Sequence, residues 1–129
     1  MAHMNTLRHQ DQGAVNVQVL SKSEILVWLS GYFIEDEDIT PFTEMVQGRL
    51  VQGFTWLILD MRSVEFMSSR LLSELVSCHR KIKNLGGDVM LVDVSKNVQE
   101  ILSLTGMEHY FVTLNSVAAA RLRILETSR

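Results

Sequence analysis

Two apolar runs of strand length, FTWLIL (54–59) and DVMLV (88–92), bracket an amphipathic stretch that closes on a double glycine. That order constrains the fold more than any other feature of the chain. A run without polar alternation fits a strand covered on both faces, the condition of strands in parallel sheets. The stretch between them predicts a helix from about Ser68 to Leu85. At 100° per residue Leu71, Leu72, Leu75, Val76, His79 and Ile82 share one face, and Arg70, Ser73, Ser77, Arg80, Lys81 and Asn84 share the other. Gly86 and Gly87 supply the stop. Parallel strands joined by a helix need a crossover, so the class is α/β.

The flanking segments extend the pattern. VNVQVL (15–20) and EILVWLS (24–30) are β-rich runs either side of the polar SKS, which suggests a hairpin. EDED (35–38) reads as an acidic loop, followed by Thr40 as N-cap and Pro41 at the first helical position. Met45, Val46 and Leu50 give the next helix its apolar stripe, and Gly53 ends it. After DVMLV, Ser95 caps a shorter helix with Val98, Ile101 and Leu102 inward, closed by Gly106. HYFVTL (109–114) holds a last short strand, and NSVAAARLRILE (115–126) a terminal helix. The expected sheet has four or five strands, antiparallel at its start and parallel thereafter, with about four helices.

Composition narrows the function classes. With 129 residues, 47% of them hydrophobic and 21% charged, the chain is one domain able to bury a core. A formal net charge of -3 offers no broad attraction to nucleic acid or anionic membrane. Cys78, the one cysteine, excludes an intrachain disulfide and a paired-cysteine metal or redox site. No run reaches the length of a membrane span and no signal peptide is visible, so direct membrane insertion is not expected and the setting reads as cytoplasmic. MAHM at the start reads as a tag remnant. Residues 1–13 are taken as remnant plus flexible terminus, and 14–129 as a single domain.

Enzyme chemistry finds little support. No dinucleotide, P-loop, zinc-protease or nucleophile-elbow motif occurs. His79 lies eleven residues beyond Ser68 on the same helix, about 16 Å away at 1.5 Å per residue, so the two form no dyad. His79 reads as a packed or rim histidine, Cys78 as a small packing residue, and Asp60 as a turn-stabilising acid after its strand. Asp60 and Glu65 are a weak basis for acid–base or metal chemistry. Met61 and Met67 fit the core, with a partner surface as the other possibility. No enzyme, metal or cofactor is expected.

From Leu57 to Phe111 the chain resembles the STAS domain of anti-sigma factor antagonists. That family runs from a strand ending in Asp, through V-x-F, to D-S-[ST]-G at a helix start. A G-G turn, an apolar strand and a helix ending in L-T-G follow. Here Asp60, Val64, Phe66, Ser68–Ser69, Gly86–Gly87, MLVDVS and LTGM stand in the same order, and WLSGYF (28–33) matches the family's L-x-G. The resemblance implies a STAS-type fold and a non-enzymatic regulatory module that binds a protein, of the anti-sigma factor or serine-kinase type. It implies Ser68 as the phosphoacceptor, the family's Asp being Met67 and its Gly being Arg70. The expected contact surface is the loop Val64–Met67 with Phe66, then Ser68, Ser69, Arg70, Ser73 and Ser77. Ser68 can equally be a plain N-cap, and both readings stand at this point. The alternatives are a phosphorylation-independent STAS subunit of a larger signalling or lipid-transport assembly, and a sensor of a nucleotide or lipid. A weak homodimer is left open.

Overall fold

A computed structural model describes residues 13–127 of the chain. The expected tag remnant and N-terminal tail, apart from Gly13, lie outside the described residues. The hydrophobic runs become β1 (Ala14–Val19), β2 (Glu24–Phe33), β3 (Trp56–Met67), β4 (Asp88–Val92) and β5 (Val112–Leu114). Between and after them lie α1 (Asp36–Val51), α2 (Ser69–Asn84), α3 (Lys96–Leu104) and α4 (Val117–Thr127). The strands form one five-stranded sheet in sequential order. β1 and β2 pair antiparallel, with Asn16 opposite Trp28. β2–β3, β3–β4 and β4–β5 are parallel, so the runs FTWLIL and DVMLV do lie side by side, Leu57 against Val89 and Leu59 against Leu91.

Period-2 alternation sorts the two cores. On one face Ile25, Val27, Leu29, Leu57, Leu59, Val89 and Leu91 meet Phe42 and Val46 of α1, Leu71, Leu75 and Ile82 of α2, and Val98 and Leu102 of α3. On the other, Leu26, Ile58, Met90 and Val92 meet Ala120 and Ile124 of α4, with Leu20, Trp56, Val112, Leu114 and Val117 partly buried around them. One helix cannot cover a face that takes three on the opposite side. Trp28 and Tyr32, which follow Leu26 at two-residue steps along β2, are therefore left more than one-third exposed.

Two expectations are corrected. The acidic EDED segment is no loop: α1 begins at Asp36, with Glu35 as its N-cap. The Asp38 carboxylate accepts the amides of Ile34 and Glu35, each at 3.1 Å, and acids in a first turn offset the partial positive charge of a helix start. Thr40 and Pro41 consequently sit inside the helix, and Thr40 Oγ1 donates to the Asp36 carbonyl. Likewise, the strand expected to end near Leu59 runs on to Met67, which makes Val64–Met67 strand and not loop.

At the far end of α2 the double glycine works as expected. Gly86 takes φ +90°, and the Gly86 and Gly87 amides return to the carbonyls of Lys83 and Ile82. A Cβ on Gly87 would overlap the Thr55 carbonyl, so the turn fits only with glycine there.

Candidate protein-binding surface at the start of helix α2

The extension of β3 explains how the candidate residues are placed. Pairing with β2 runs in step to Trp28–Asp60, then resumes at Ser30–Ser63, and again at Tyr32–Phe66 after Gly31–Val64. Each jump inserts one extra residue on the β3 side, a β-bulge. The bulges convert the inward spacing from two to three, so Met61, Val64 and Met67 all face the main core, at 0%, 2% and 2% exposure. Glu65 and Phe66 are turned outward. Phe66 is 42% exposed, and Tyr32, its register partner on β2, is 38% exposed. Beyond Asp60 no residue of β4 accompanies β3. Its outer edge is met by the first residues of α3 instead: Ser95 Oγ donates to the Val64 carbonyl at 3.0 Å and Asn97 Nδ2 to that of Glu65 at 3.3 Å.

The structure separates the two serines. Ser68 is the N-cap of α2, held by its amide to the Phe33 carbonyl, and its Oγ accepts the Leu71 amide at 3.2 Å. Ser69 is the first helical residue and is exposed. Arg70 follows, largely exposed, with Nε 3.9 Å from Asp36 at the start of α1, too open a pair to hold either side chain firmly. Helix α2 carries no acid in its first turn, so its free amides face the serines uncompensated.

Of the expected contact residues, Phe66, Ser68, Ser69 and Arg70 thus gather at the junction of β3 and α2. Val64 and Met67 do not belong to a surface, because the bulges turn them into the core. Ser73 is exposed one turn further on. Ser77, half-buried, stands about 12 Å along the helix from Ser69 at 1.5 Å per residue. Sequence reasoning missed Tyr32, Ile34 and Asn97, and it read Ser95 as the cap of α3, which it is, without its bond to Val64. Tyr32 and Ile34 lie past the segment read as β2, but polar residues thirty positions downstream that close a strand edge leave no local signal.

The acids and the histidine resolve into structure. Asp60 is 5% exposed inside β3, where its carboxylate accepts the Arg62 amide at 3.1 Å and meets the guanidinium at 3.5 Å. Arg62 Nε also lies 3.0 Å from Asp93. The expected turn role of Asp60 becomes support of the first bulge. His79 packs against Tyr110 and Phe111, at ring-centroid distances of 4.6 and 5.5 Å, with Nε2 3.5 Å from Asp88. Burial pushes its pKa down, Asp88 opposes that and Lys83 adds to it. Among the described residues no group of three or more His, Cys, Asp or Glu could hold a metal ion, and no helix is long and apolar enough to cross a membrane.

Comparison with known proteins follows the same outline. The STAS domain model matches residues 22–120. Among solved structures, the anti-sigma factor antagonist SpoIIAA in its unphosphorylated form is 15% identical with a TM-score of 0.78, over 88% of this chain and 97% of that one. An anti-sigma factor antagonist from Mycobacterium paratuberculosis is 20% identical at 0.71, over 88% and 94%. A putative one from Thermotoga maritima is 22% identical at 0.72, over 89% and 95%. No curated protein sequence matches the chain. At these identities the structural likeness is one of fold.

Proposed function

The chain belongs to the STAS domain family, and from that premise we propose that it is a regulatory module that binds a protein partner through the β3–α2 junction. The partner is of the anti-sigma factor or serine-kinase type, the module does no chemistry of its own, and its setting is the cytoplasm. The observation that carries the reading is the contrast within one short segment. Met61, Val64 and Met67 are sealed in the core while Phe66, Ser69 and Arg70, beside them in sequence, stand free. A strand end that displays an aromatic ring beside a helix start suits recognition.

Of the two serines, Ser69 is the better phosphoacceptor. The Ser68 oxygen already accepts a helix amide, whereas Ser69 is exposed, and phosphate on it would meet the α2 amides and the Arg70 guanidinium. Phosphate set beside the Phe66 contact would have to be desolvated for the partner to stay, so it releases the partner. The test is capture of partners from the protein's own cells on wild type, Phe66→Ala, Ser69→Ala and Ser69→Asp, with phosphosite mapping of the recovered bait. Wild type and Ser69→Ala are expected to retain a partner that Phe66→Ala and Ser69→Asp lose. Equal capture by all four refutes the surface. A partner lost by Phe66→Ala yet kept by Ser69→Asp, with no phosphate on the bait, favours the phosphorylation-independent subunit instead.

A further inference from the structure

At the end of the sheet three large apolar side chains stand in the open together: Tyr32 and Phe66 in register, and Ile34, 57% exposed, just past β2. Isolated exposed apolar residues are ordinary, but three such residues at one end of two paired strands suit a contact surface. Its rim is mostly acidic. Glu35, Asp36, Glu37 and Asp38 open α1 directly after Ile34, and Glu65 precedes Phe66. The cations nearby are fewer. Among the described residues Arg62 is engaged by Asp60 and Asp93, Arg70 faces Asp36, and Lys96 stands at the start of α3. The carboxylates are close enough to disturb each other: hydrogen bonding to Glu37, and then its charge, pushes the Glu35 pKa up.

We infer that the surface formed by Tyr32, Ile34 and Phe66 takes a cationic amphipathic segment of a protein partner, its apolar side chains on the three residues and its Lys or Arg side chains on the rim of Glu35, Asp36, Glu37 and Glu65. The inference rests on the proposed binding module and gives its partner a chemistry. Charge complementarity selects the occupant, since an anionic lipid surface and a nucleic acid are both repelled by this rim. It also divides the labour: solvated rim charges steer and speed encounter, while the apolar centre sets how long the complex lasts.

The experiment uses the full chain and two synthetic helix-forming peptides with the same Leu and Phe positions, one carrying Lys and the other Glu at every polar position. Backbone amide shifts are followed in ¹⁵N spectra. The Lys peptide is expected to move the amides of residues 32–38 and 65–70, and the Glu peptide is not. Glu37→Lys combined with Glu65→Lys is expected to weaken the Lys peptide by about tenfold or more, and raising salt from 50 to 300 mM to weaken it several-fold on the wild type. An unchanged thermal midpoint shows that the double variant is folded. Binding of both peptides alike, indifference to the charge reversal, or shifts at those amides produced by anionic vesicles or by raising the protein concentration alone overturns the inference. If a captured partner still depends on Phe66 while ignoring the charge reversal, the binding module stands and the cationic segment falls. If the Lys peptide binds here and a captured partner ignores Phe66, the inference survives and the module reading fails.

Discussion

An aspartate placed at position 67 and one placed at position 68 are expected to have opposite outcomes, although they are adjacent. Met67 is 2% exposed among Phe33, Val64 and Leu71 in the main core. Truncating a buried methionine costs about 2–5 kcal/mol, and a carboxyl left there without a partner adds about 1–3 kcal/mol. The sum, about 3–8 kcal/mol, is comparable with the about 5–15 kcal/mol by which whole domains are stable. At about 2.1 cal/mol/K per residue, 129 residues give roughly 0.27 kcal/mol/K, so Met67→Asp should lower the midpoint by at least about 10 °C. Burial raises the new carboxyl's pKa above its unfolded value, so the folded variant holds its proton longer. The deficit is therefore smallest near pH 4 and grows as pH rises toward 7. Ser68→Asp keeps a good N-cap and adds the acid that the first turn of α2 lacks, so stability should stay within about 0.5 kcal/mol of wild type or rise slightly. Urea unfolding followed by circular dichroism at pH 4 and 7 measures both. A Met67→Asp variant within about 1 kcal/mol of wild type at pH 7 would refute the inward placement of residue 67.

Three further outcomes are expected. His79→Leu should be neutral or mildly stabilising at pH 7.5, and its advantage should grow toward pH 5. The reason is that the fold depresses the histidine pKa while the unfolded chain takes up a proton near 6.5, so wild type loses stability on acidification and the leucine variant does not. A constant difference across that range counts against it. Cys78 is 1% exposed, and burial pushes its thiol up to about 12, so at pH 8 a thiol reagent should label it only as fast as the protein opens; immediate stoichiometric labelling contradicts the packing. Gly48→Ala, in open space on α1, should stabilise by about 0.5–1 kcal/mol, whereas Gly87→Ala, against the Thr55 carbonyl, should cost about 2 kcal/mol or more, as denaturation midpoints will show.

Where the residues alternate or run apolar in the ordinary way, the chain can be read from its sequence. FTWLIL, DVMLV, the stripe of α2 and the caps at Ser95 and Gly86 all say what they form, and the parallel neighbours follow. Legibility stops at Asp60 because two bulges shift the inward spacing of β3 from two residues to three, and Met61, Val64 and Met67 then resemble no strand. The N-cap reading of Ser68 does hold, its Oγ accepting the Leu71 amide. EDED misleads for an electrostatic reason: a run of acids looks solvated, yet a helix start is where such charges are most at home. The aromatic surface depends on α4 being a single helix over half a face, which no local pattern records.

The two-stranded arm from Met61 to Met67, with β2 on one side and two side-chain hydrogen bonds from α3 on the other, also has a kinetic consequence. Its outer amides lack the cross-strand protection that β4 gives residues 56–60. Amide exchange should therefore find two cooperative units: a slow body, and an arm that opens at lower free energy while the body remains native. Recognition is housed in the unit that opens first. Change at its outward positions, Glu65 and Phe66, alters what the arm greets at little risk to the body, whereas change at Met61, Val64 or Met67 reaches the core.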